Sequence, residues 1–105
     1  MNVPNYIGGG TKNIATAGTQ VPLSTTSIPS YEVVLTSDDA NAGEVYFGGP
    51  DVDNTYPPLN PGDSATVPTN DVSKVWVDAA NNNEDVRFTY TAPGNPTVQS
   101  PLYGG

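Results

Sequence analysis

The stretch from Gly43 to Ala79 constrains the fold more than any other part of the chain. It reads Gly43-Glu44-Val45-Tyr46-Phe47-Gly48-Gly49, then a Pro-rich loop ending Leu59-Asn60-Pro61-Gly62-Asp63-Ser64, then Asp71-Val72-Ser73-Lys74-Val75-Trp76-Val77-Asp78-Ala79. Each apolar run is short, alternates with polar residues and is closed by Gly, Pro or Asn, which is the pattern of strands bounded by tight turns. Val45, Phe47, Val75 and Val77 are expected in the core. Pro61-Gly62 fits the two central positions of a type II turn, where Gly supplies the positive φ.

The same pattern extends outwards. Gln20-Val21-Pro22-Leu23 is a short strand candidate, placed at an edge by Pro22. Tyr31 to Ser37 alternates Tyr31, Val33 and Leu35 against Glu32, Val34 and Thr36, and a polar turn at 38–43 predicts a hairpin with Glu44 to Phe47. Residues 69–92 lack Gly and Pro, so a helix competes there. Alternating Val75 and Val77 and the Asn81-Asn82-Asn83 run favour a turn at 70–73, a strand Lys74 to Asp78 and a strand Asp85 to Tyr90.

With 105 residues the chain fits one domain with one modest core. The expectation is an all-β domain, a small antiparallel β-sandwich or barrel, over 19–91. Residues 1–18, with Gly8-Gly9-Gly10, read as an extended N-terminal arm, and 92–105, with its prolines, as an extended C-terminal arm. Tyr6, Ile14, Leu102 and Tyr103 are candidate arm anchors for a subunit or partner interface. Trp76 is a further interface candidate, because strict alternation sets it opposite Val75 and Val77, beside Lys74 and Asp78.

Charge and composition exclude several functions. Eleven acidic against three basic residues give −8, a field that a phosphate backbone would oppose, so nucleic acid is not an expected partner. No run approaches the ~20 apolar residues of a membrane helix, so no membrane partner is expected. The start, Met1-Asn2-Val3-Pro4-Asn5-Tyr6, lacks the basic and apolar regions of a signal peptide, which predicts synthesis in a cytoplasm. Without His or Cys the commonest general base and the strongest nucleophile are missing, and no enzyme activity, metal or cofactor is expected. Ser73 and Lys74 adjoin on a predicted strand and so point apart. Asp51-Val52-Asp53-Asn54-Thr55 imitates the start of a calcium loop, but Tyr56 stands where Gly makes the sharp turn and Gly62 where the bidentate Glu belongs. Most acidic residues fall in predicted turns, where Asp bonds nearby backbone.

Several segments, in order, resemble small virion proteins of tailed double-stranded-DNA bacteriophages. They are Ala15-Thr16-Ala17-Gly18-Thr19-Gln20-Val21-Pro22-Leu23, Val45-Tyr46-Phe47-Gly48-Gly49, Pro58-Leu59-Asn60-Pro61-Gly62-Asp63-Ser64 and Asp71 to Ala79. The resemblance implies a non-enzymatic structural protein of the virus particle, of the structural, capsid-decoration or fibre type. The leading expectation is a decoration or cement protein on the capsid exterior whose partners are the major capsid protein and further copies of itself, as a trimer or dimer that buries open strand edges. It leaves open a receptor- or carbohydrate-binding fibre module, with Trp76, Tyr46 and Tyr56 as stacking platforms near Asp51 and Asp53, and a head-to-tail joining protein.

Overall fold

A computed structural model describes residues 6–92, and these form two four-stranded antiparallel sheets packed face to face. In chain order the strands are β1 (Tyr6–Ile14), β2 (Val21–Pro22), β3 (Glu32–Ser37), β4 (Val45–Gly48), β5 (Pro58–Leu59), β6 (Ser64–Pro68), β7 (Trp76–Ala79) and β8 (Glu84–Ala92), with one 3-10 turn at Val72–Lys74. One sheet runs β1-β8-β3-β6 and the other β2-β7-β4-β5. The expected all-β sandwich is therefore present. Its core combines Ile14, Val33, Leu35, Val86 and Phe88 from the first sheet with Val45, Leu59, Val77 and Ala79 from the second. Leu23, Val72 and Val75 close it from the connections. Of the four core residues expected in the central block, Val45, Val75 and Val77 are buried and Phe47 packs partly buried against them.

The N-terminal segment corrects the arm expectation. Residues 6–14 are not apart from the domain; they pair along their whole length with β8, from Tyr6 opposite Ala92 to Ile14 opposite Glu84. The glycines are the reason this segment reads as linker and yet folds as strand. Gly8 lies opposite Tyr90 and Gly10 opposite Phe88. A Cβ on Gly8 would run into the Tyr90 ring, and one on Gly10 would touch the Phe88 ring at 3.4 Å. The aromatic rings of β8 thus occupy the volume that side chains on β1 would need, an arrangement that restores apolar packing to edge glycines. Tyr6 continues the row, with its ring centroid 6.1 Å from that of Tyr90, which lies 6.5 Å from Phe88. Gly9 faces the other way, where a Cβ would strike the Phe88 carbonyl oxygen, a backbone atom that cannot swing aside.

The hairpin expected between 31–37 and 44–47 does not form. β3 pairs with β6 and β8, whereas β4 pairs with β5 and β7 in the opposite sheet. The intervening turn is captured by β8 instead. The Asn41 amide donates to the Asp85 carbonyl (2.8 Å) and accepts from the Asp85 N–H (2.8 Å), reproducing with one side chain the paired bonds of an antiparallel neighbour. The Glu84 carboxylate then accepts from the Ala42 and Gly43 N–H groups. These bonds carry the chain around the end of the sandwich.

Besides β1, two further strands, β5 and β6, escaped the sequence pattern, and the strand expected at Lys74 begins two residues later. Lys74 closes the 3-10 turn, which Asp71 caps by accepting from the Ser73 N–H (2.9 Å). The Pro61-Gly62 turn is as expected: Gly62 has φ +90 and the Asp63 N–H donates to the Asn60 carbonyl (2.8 Å).

Candidate functional site

Cross-strand register fixes which side chains share the outer face of the second sheet. Tyr46 lies opposite Asp78 and Gly48 opposite Trp76, so these four positions point away from the core while Phe47 and Val77 point into it. The face is not open. Tyr56, from the loop after β4, lies where a Gly48 side chain would be, and its hydroxyl donates to Asp51 Oδ1 (2.9 Å). The Ala17-Gly18 turn folds over the other end, where the Gly18 N–H donates to Asp78 Oδ1 (2.9 Å). Gly18 itself sits at φ +83, a conformation that favours glycine.

Between these covers lies a concavity of about 440 Å³, with Tyr46, Asp78 and Ala79 along its floor and Asp53, Asn54 and Gly18 on its rim. Asp78 is the unusual member. It is only 3% exposed. Its Oδ1 accepts from Gly18 and from the Ala79 N–H (2.8 Å), and no described residue donates to Oδ2. Tyr46 is 6% exposed and its hydroxyl donates to Glu44 Oε1 (3.2 Å). Burial, the bond to Glu44 and the negative charges of Glu44 and Asp78 together push its phenol above the ordinary tyrosine range. The concavity is therefore acidic, and among the described residues the one ion pair is Arg87 with Asp38, elsewhere in the molecule.

The sequence-predicted site residues scatter. Ile14 is fully buried in the core and so cannot anchor an arm to a partner, which corrects that expectation: it closes the far end of β1 against the sheet. Tyr6 is 57% exposed at the opposite end of the same strand, next to Ile7 at 71%. Trp76 is half-buried on the outer face, as alternation required, but Asp78 beside it is buried rather than solvent-facing. Leu102 and Tyr103 lie outside the described residues. The calcium-like run is a turn: Asp53 accepts from the Thr55 N–H and hydroxyl, and Val52 is buried. No group of three metal-ligating side chains forms among the described residues. Ser73 and Lys74 do not meet, since the Ser73 hydroxyl donates to Asp71 and the Lys74 ammonium to Asn70. What sequence reasoning missed is Asp78 as a buried carboxylate. The signal was Gly18, whose N–H reaches it from 60 positions away.

Asp71 is a separate, structural hub. It accepts from the Ser27 hydroxyl, the Ile28 N–H (3.0 Å) and both donors of Ser73, tying the 24–30 loop to the 3-10 turn. These bonds, led by those from Ser27 and Ser73, hold its carboxyl well below the usual carboxylate range. A group depressed in the folded state contributes stability above its unfolded pKa of about 3.9, and that contribution fades as pH falls towards the folded value. The difference in urea midpoint between wild type and Asp71→Asn is therefore expected to be constant above about pH 5 and to shrink between about pH 4 and pH 2. A difference independent of pH over that range would show that the hub does not depend on the charge.

No protein-family model, curated protein or solved structure matches the chain.

Proposed function

We propose that this protein is a non-enzymatic structural component of a tailed-phage particle, a decoration or cement protein that binds the outer surface of the capsid as a homo-oligomer. The observation that carries the reading is the free edge of β1. No described strand pairs with its outer side, and it runs for nine residues without proline. The other edges are blunted: β2 and β5 are two residues long and each contains a proline, and β6 ends in Pro68. Such blunting is how a sandwich avoids unwanted edge pairing, and a long uncapped edge is where strand addition takes place. Exposed Tyr6 and Ile7 stand at its end and supply apolar contact.

Charge favours the same edge. All eleven carboxylates lie between Glu32 and Asp85, so the segment up to Tyr31 carries none. Along the β1-β8 pair the carboxylates stand at one end, Glu84 opposite Ile14 and Asp85 opposite Asn13, so an acidic surface or a second copy meets less repulsion at the Tyr6 end. The segments that resemble phage virion proteins, standing in the same order, support a phage particle as the setting, and synthesis in the host cytoplasm is consistent with it.

The carbohydrate-binding alternative needs an open aromatic platform. Tyr46 is buried, and Tyr56 and Trp76 are each half-buried, with Tyr56 lying on Gly48 and its hydroxyl held by Asp51. The test is cosedimentation of purified protein with shells of the phage that encodes it. Binding by wild type is expected, with a loss of about tenfold in Ile7→Lys and an unchanged urea midpoint, since Ile7 is exposed. Absence of wild-type binding, or full binding by Ile7→Lys, overturns the edge as docking surface.

A further inference from the structure

We propose that the concavity on the outer face of the β2-β7-β4-β5 sheet is a binding site for a guanidinium group, the side chain of an arginine on a partner polypeptide. The starting point is Asp78. A carboxylate taken out of water needs donors on both oxygens, or a cation, to offset its lost hydration. Here Oδ1 has two backbone N–H donors while Oδ2 has none among the described residues, and the residue, which lines the concavity, is only 3% exposed. The oxygen without a donor thus belongs to a group that lines a space large enough for a side chain.

The surroundings select the sign and shape of the ligand. Asp53 stands on the rim, and Glu44 bonds the hydroxyl of Tyr46, so the field is negative. No described ammonium or guanidinium group lies within 4.0 Å of Asp78, Asp53 or Glu44. A bare metal ion fits poorly, because no three ligating side chains converge among the described residues and a hard cation takes six or more oxygens. A guanidinium fits better. It donates through a planar fork and is weakly hydrated, and so enters a partly buried site more readily than an ammonium. Ala80 and the Ala17-Gly18 turn line the space without bulky side chains that would block its aliphatic stem.

The site needs no knowledge of the particle, and its test uses none. The isolated full chain is titrated with N-acetyl-arginine-N-methylamide while its backbone amides are followed by NMR, with the matching lysine and citrulline derivatives in parallel. Saturable shifts at Gly18, Asn54 and Ala79 are expected with arginine, weaker binding with lysine, and none with citrulline, which keeps the shape but lacks the charge. Asp53→Asn, at an exposed position where the amide oxygen can still accept from Thr55, is expected to weaken arginine about fivefold, the effect of one exposed charge pair. Asp78→Asn is expected to abolish saturation if it folds. Equal binding of citrulline, lysine binding as tight as arginine, no saturable shift, or an unchanged affinity in Asp53→Asn overturns the proposal. Failure here leaves shell binding through β1 untouched, and failure of shell binding leaves this site untouched.

Discussion

Ile14→Ala is expected to lower the unfolding free energy by about 2–5 kcal/mol, the cost of removing a fully buried branched side chain and leaving a cavity. Ile14 has no solvent exposure and touches the core that joins the two sheets. Small domains have about 5–15 kcal/mol in total, so the variant loses a large part of its margin and melts at least about 10 °C lower. Ile7→Ala is the internal control. It lies on the same strand at 71% exposure, where substitutions stay within about 0.5 kcal/mol. Urea unfolding of the two variants checks the pair. Similar small effects from both would mean that β1 is an arm resting on the domain and not its edge strand. The same logic redefines useful truncations: removing 1–14 deletes a strand and a core residue, whereas removing 1–5 leaves the described sandwich whole.

The contrast between Ile7 and Ile14 shows where the sequence was legible and where it was not. Alternation over a few residues identified β3, β4, β7 and β8 because side chains on a strand must face in and out by turns. The Pro61-Gly62 turn was legible because a positive φ almost demands Gly. β1 was not, because Gly8 and Gly10 contribute no apolar signal of their own; the apolar groups that fill their places belong to Tyr90 and Phe88, about 80 positions away. The sheet assignment of β3 and β4 failed for the same reason. Their turn has the composition of a hairpin loop, and the bonds that hold it against β8 instead come from Asn41 and Glu84, 43 positions apart. At the candidate site, Trp76 could be set on the outer face from alternation alone, but the burial of Asp78 depends on the Ala17-Gly18 turn that covers it. Local chemistry could be read, and long-range capture could not.

Glu84→Ala tests that capture directly, and it is expected to destabilise the fold by roughly 3 kcal/mol. Glu84 is 4% exposed, and its carboxylate accepts from the Ala42 N–H (3.1 Å) and the Gly43 N–H (2.7 Å), with the Asn81 amide at 3.5 Å. A charged acceptor makes such bonds worth about 1.5–3 kcal/mol each, less when they share one group, and its removal strands the backbone donors of the crossover. Glu84→Gln is expected to recover little, because one oxygen becomes an amide nitrogen that meets an N–H donor with a second donor. The consequence reaches the candidate site. β4 begins at Val45, two residues after Gly43, and the Glu44 carbonyl accepts from the Ala80 N–H (3.0 Å), so loosening the crossover loosens the strand that presents Tyr46 to Asp78. Amide hydrogen exchange separates this from a general loss of stability. Under conditions where global unfolding is rare, protection at Ala42, Gly43 and Tyr46 is expected to fall further than at Val33 and Leu35, which belong to the opposite sheet. A uniform loss of protection, or a variant within about 0.5 kcal/mol of wild type, would mean that the polar capture merely accompanies a crossover which packing of the two sheets already dictates.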